Sequence, residues 1–109
     1  GILNSGGKLL FVAGQTASDK DGNVVGKDDM EAQTRQVFDN LRAVLKAAGG
    51  TLDNLVMTTT YITGREHREG YNRVRATQYK KTPPTSTLVI VSGLANPDYL
   101  IEIAGIAII

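Results

Sequence analysis

The sequence predicts a layered α+β or α/β protein in which two helices cover one face of a mixed sheet. Two observations predict this class. Apolar, β-branched runs alternate with two helical patterns in the order β-β-α-β-α-β-β. Glycine or proline punctuation separates most of these runs, so each reads as an element of ordinary length.

Residues 8 to 16, KLLFVAGQT, form a compact apolar strand with a glycine-marked exit at Gly14. Asp21-Gly22 signals a tight turn, and Val24-Val25 forms a short second strand beyond it. Asp28 is placed to open a helix, with Glu31 three residues on completing a capping box. Met30, Val37, Leu41, Val44, Leu45 and Ala48 then recur at helical spacing, and Gly49-Gly50 ends the run. Residues 54 to 63, NLVMTTTYIT, are rich in β-branched side chains and read as a strand broken by Gly64. Residues 66 to 80 carry a more polar helical pattern with Tyr71, Val74, Gln78 and Tyr79 on one stripe. Pro83-Pro84 closes it, since a residue before proline is pushed out of the helical region. Two strands follow, about 87 to 94 and 99 to 109, joined by ANPD.

The last strand is apolar on both faces. One parity holds Ile101, Ile103, Gly105, Ala107 and Ile109; the other holds Leu100, Glu102, Ala104, Ile106 and Ile108. A half-solvated sheet would alternate with polar residues. With helices on one face only, another copy of the chain is expected to cover the second, which implies a homo-oligomer.

Composition narrows the function. One domain spanning residues 1–109 is expected, because a second core and a linker would not fit. The net charge of +1 from interspersed charges gives no case for nucleic acid or an anionic membrane. There is no cysteine, which excludes disulfides, zinc–thiolate sites and cysteine nucleophiles and fits a reducing cytoplasm. No apolar stretch approaches the ~20 residues of a membrane span, and no signal segment opens the chain. No phosphate-loop, dinucleotide or metalloprotease pattern occurs, so neither cofactor nor metal is expected.

Few residues carry chemistry. Glu102 is one carboxylate among aliphatic neighbours. It reads either as an acid, base or ligand anchor, or as a glutamate at a subunit seam paired with Arg or Lys. His67, the only histidine, lies among charges in GREHREG and reads as solvated surface. The AGQT turn, residues 13 to 16, offers backbone N–H groups to a carboxylate, or merely turns the chain. In PPTSTLVIVSG, residues 83 to 93, a hydroxyl cluster stands at a strand entrance, either as the polar floor of a site or as β-branched filler.

Taken together, LLFVAGQTASDKDGNVVG, QTRQVFDNLRAVLKAAGGTLDNLVMTTTYIT, YNRV and NPDYLIEIAGIAI resemble the Rid family of reactive-intermediate deaminases, YjgF-like and endoribonuclease L-PSP-like. The resemblance spans nearly the whole chain. It implies a chorismate-mutase-like fold packed as a homotrimer, with small-molecule clefts between subunits. Family members begin upstream with a Tyr-bearing segment that helps line the cleft, so the expectation is a cut or disordered N-terminus at Gly1. The archetypal deaminases hydrolyse enamine and imine products of amino-acid dehydratases. An Arg after a P-A step clamps the substrate carboxylate, and a Glu of the last strand positions water. Aligned through LANPDYLIEI, those positions fall on Ser86 and Ala104, so both charged groups are absent. A hydroxyl cannot replace a bidentate guanidinium. The resemblance carries Gly14 with its backbone donor, Asn72 and Tyr79 as ligand-binding residues, and Ser86 and Thr87 are expected to supply hydrogen bonds. Glu102 is the remaining catalytic candidate. A diverged member follows, either a hydrolase of an imine or amide-like compound without that carboxylate, or a non-catalytic binder of a metabolite or protein. Activity on 2-aminoacrylate or 2-iminobutyrate is expected to be weak or absent.

Overall fold

The computed structural model describes residues 1–109. The chain forms strand β1 (Leu9–Thr16), helix α1 (Met30–Ala47), β2 (Leu55–Ile62), α2 (Arg68–Arg75), β3 (Thr85–Ile90) and β4 (Ile101–Ile108). The sheet order is β1-β4-β2-β3. The last strand therefore lies inside the sheet, antiparallel to both β1 and β2, while β2 and β3 run parallel across α2. The α+β class holds. The expected second strand is reduced to a single bridge between Ser18 and Val24.

α1 is held at both ends by its own sequence. Asp29, one residue after the expected cap, accepts the Ala32 N–H at 3.0 Å, while Asp28 takes a left-handed conformation with φ 60°. Glu31 thus falls outside a capping box and lies 3.4 Å from Arg73 of α2. At the other end Gly49 has φ 87°, and the Gly49 and Gly50 amides reach back to Lys46 and Leu45 at 3.0 and 2.8 Å. That doubly bonded ending needs a residue at positive φ.

The predicted stripe of α1 packs as expected at Met30, Val37, Leu41 and Leu45, joined by Phe38, against Val12, Ile62, Ile101, Ile103 and Ala107 of the sheet. Burying each large side chain contributes about 1.5–3 kcal/mol relative to exposure. α1, β2 and β4 therefore dominate the core, whereas β3 brings only the half-buried Leu88.

Cross-strand pairing separates two faces. Val12, Thr58, Thr60, Ile62, Ile101, Ile103 and Ala107 lie under the helices and are buried. Their alternates form an open face on which Phe11 is 72% and Met57 46% exposed. No helix is long and apolar enough to cross a membrane.

Candidate functional site

Glu102 is the only charged residue in the four strands. Its parity on β4 is that of Ala104 and Ile106, so it belongs to the open face. Register gives its neighbours: Thr16 of β1 on one side, Tyr61 of β2 on the other, and Val89 of β3 beyond Tyr61. The next row holds Ala104, Thr59 and Thr87. The third holds Phe11, Ile106, Met57 and Thr85. Directly opposed side chains stand about 4.5–5.5 Å apart at Cβ, close enough to share one small ligand.

β1 makes room for the carboxylate. Val12 pairs with Gly105 and Gln15 with Ile103, so Ala13 and Gly14 together face Ala104 in a bulge. A Cβ on Gly14 would lie 2.7 Å from Cδ and 3.0 Å from Cγ of Glu102. Glycine is needed here for close approach, and the half-buried Glu102 side chain lies back over β1. It has no Lys or Arg partner and accepts no hydrogen bond within the chain.

α1 fixes this corner from behind the sheet. Asn40 donates from Nδ2 to the carbonyls of Thr16 and Ser18, both at 2.9 Å, pinning the exit of β1. Gln33, fully buried, donates from Nε2 to Asp98 O at 2.8 Å and accepts the Leu100 N–H at 2.8 Å, pinning the entrance of β4. The seven-residue spacing of Gln33 and Asn40 is two helical turns, which puts both amides on one side of α1.

Beside Glu102 the open face is concave. A hollow of about 370 Å³ is lined by Phe11, Ala13, Met57, Thr59, Tyr61 and Ala104, among others. It offers an apolar floor and two hydroxyls. A groove of about 460 Å³ between α1 and the segment after α2, lined by Arg42, Lys46, Gln78 and Lys80, contains none of the predicted site residues.

The structure brings Gly14, Glu102 and Thr87 onto the open face. Ser86 stands beside Thr58, on the helix side, so on one chain it does not face Ala104. The β3 hydroxyls that share Ala104's face are Thr85 and Thr87. Asn72 is exposed on α2, away from this face. Tyr79 follows α2 and packs edge-on against Phe38, with ring centres 5.8 Å apart and Arg75 5.5 Å from its own centre. Burial pushes its hydroxyl up to about 12. Thr16, Thr59 and Tyr61 are neighbours that the sequence reading passed over. The strand period in MTTTYI marks Thr59 and Tyr61 as sharing a face, and that was the available signal.

The endoribonuclease L-PSP family profile matches residues 4–109. A RutC family protein of Sulfurisphaera tokodaii is 39% identical over 98 residues, covering 90% of this chain and 78% of its own. YyfA of Yersinia pestis, described as a protein of unknown function of the conserved Rid family, is 39% identical. It superposes with a TM-score of 0.86 over 93% of this chain and 80% of its own. RidA of an Antarctic Psychrobacter is 26% identical, with a TM-score of 0.86 over 98% of this chain and 85% of its own. These neighbours share the chorismate-mutase-like fold.

Proposed function

Because the chain belongs to the endoribonuclease L-PSP family, the YjgF-like or Rid proteins, we propose that it binds a small nitrogenous metabolite on the open sheet face and hydrolyses it as an imine. The observation that carries this is Glu102, set over the Gly14 bulge between Thr16 and Tyr61 with no counter-ion of its own. Other copies of the chain, three in all, close the face into clefts, and the compartment is the cytoplasm. Asn72, Tyr79 and Ser86 would then join the site only from a neighbouring copy, since their own chain holds them on its helix side.

In this reading the Glu102 carboxylate removes a proton from water as the water oxygen bonds to the imine carbon. The C=N pair moves onto nitrogen, which leaves a tetrahedral carbinolamine. The proton returns from Glu102 to nitrogen, the C–N bond breaks to release ammonia, and Glu102 takes the carbinolamine hydroxyl proton as the carbonyl forms and passes it to the departing ammonia. The balance is iminium plus water giving carbonyl plus ammonium. A carboxylate placed this way acts as general base and then general acid. A phosphate backbone at the same face would meet a carboxylate and no cation, which favours a small molecule over RNA.

The position aligned with the archetype's glutamate is Ala104, and no strand carries an arginine. These absences favour a second reading, a binder without turnover. Imines generated in situ and trapped with semicarbazide separate the two. The hydrolase accelerates loss of trappable imine and loses at least tenfold in rate on Glu102→Gln, while 2-iminobutyrate and 2-aminoacrylate are poor substrates beside an archetypal member. Absence of turnover on every imine tried leaves only the binder.

A further inference from the structure

We infer that the open-face site selects a ligand bearing a positive charge and no carboxylate, a primary ammonium or iminium seated on Glu102 with an uncharged tail in the adjoining hollow. This rests on the reading that the open face around Glu102 holds the ligand, and it names the charge of that ligand.

The argument begins with where the cations are. None of the chain's twelve Lys and Arg residues lies in β1, β2, β3 or β4, and the sole histidine, His67, lies in the turn before α2. The open face therefore carries one ionisable acid, Glu102, and one phenol, Tyr61. Its other members are the threonines Thr16, Thr59, Thr85 and Thr87 and apolar residues such as Phe11, Met57, Val89 and Ala104. Packing sheet against sheet brings up a second face that is equally free of cations. A seam of copies thus does not supply Glu102 with an ion pair from its strands. An ionised carboxylate taken out of water without a partner is strongly disfavoured, and a cationic ligand removes that conflict.

The geometry suits the same class. Because Gly14 has no side chain, the Glu102 carboxylate lies back along β1 instead of standing out of the sheet. The hollow lined by Phe11, Met57 and Ala104 takes a short apolar tail. A carboxylate-bearing ligand would meet Glu102 with no cation on the strands of this face to offset the repulsion.

The test is calorimetric titration of the intact protein near neutral pH with n-butylamine, butyrate and 1-butanol, three probes of one chain length and different charge. Butylamine is expected to bind saturably and at least tenfold more tightly than butanol, with no saturable binding of butyrate. Glu102→Gln is expected to abolish the difference between amine and alcohol. Butyrate binding as well as butylamine overturns the inference. So does equal affinity for amine and alcohol in the wild-type protein, a comparison that needs no variant, and so does a failure of the amine to bind. Turnover of carboxylate-bearing imines without amine binding would overturn this charge preference and leave the hydrolase intact. Amine binding without imine turnover would do the reverse.

Discussion

A methyl group added at Gly14 collides with the flexible end of Glu102 and not with backbone. The side chain can swing away, so Gly14→Ala is expected to leave the thermal midpoint within a few degrees of wild type. It should weaken ligand binding or turnover about tenfold or more, because the carboxylate no longer lies along β1. Titration and melting of the same preparation check both halves. At this scale part of the site was legible in the sequence. Glu102 announced itself as one charge in an aliphatic strand, whereas Gly14, expected to mark the exit of β1, lies in a bulge inside it and the strand runs on to Thr16. Thr16 and Tyr61 did not, because cross-strand neighbours depend on register. Ser86 shows the same limit: whether it or Thr87 shares Glu102's face depends on how β3 pairs with β2, and a shift of one residue exchanges the faces.

α2 was expected to run to residue 80 but ends at Arg75. The amides of Thr77 and Gln78 bond three residues back, to Val74 and Arg75 at 3.0 and 3.1 Å, and the Thr77 hydroxyl caps Val74 O at 2.8 Å. These short-range bonds tighten the last turns before the prolines. Tyr79 then turns in against Phe38 as a loop residue. α1, β2 and β4 were legible because their periodicity coincides with their burial. β3 starts at Thr85, and its weak core contact left only composition to read. The Tyr79 segment carries a pH prediction. Its folded hydroxyl titrates at about 12 against an ordinary 10, raised first by desolvation and then by Tyr71. The folded state holds this proton more tightly, so its contribution to stability is complete below pH ~10 and is lost as pH rises to about 12. Urea midpoints measured across that window should fall, and Tyr79→Phe should flatten this component of the decline.

In the whole molecule the two faces of β4 are expected to separate folding from assembly. Ile103, 1% exposed, lies in the core, and Ile106 lies on the open face. Ile103→Asp is expected to unfold the chain, since an unpaired charge would sit among fully buried aliphatics. Ile106→Asp should leave a folded monomer of 11.7 kDa. In light scattering the wild-type protein should run at about three times that mass and the Ile106 variant at the single mass, with near-native circular dichroism. A wild-type monomer at micromolar concentration would remove the trimer. The sheet order has a separate consequence for biosynthesis. β4 joins β1 to β2 yet leaves the ribosome after both, so until it emerges β1 has no hydrogen-bonding neighbour and the β2–β3 pair lacks its inner strand. Non-local pairing of this kind is slow and leaves strand edges bare while it is pending. A nascent chain halted before residue 101 therefore exposes an unpaired β1 and a two-stranded fragment of β2 and β3. Its native sheet closes only after translation has passed β4, when both halves zip onto the strand made last.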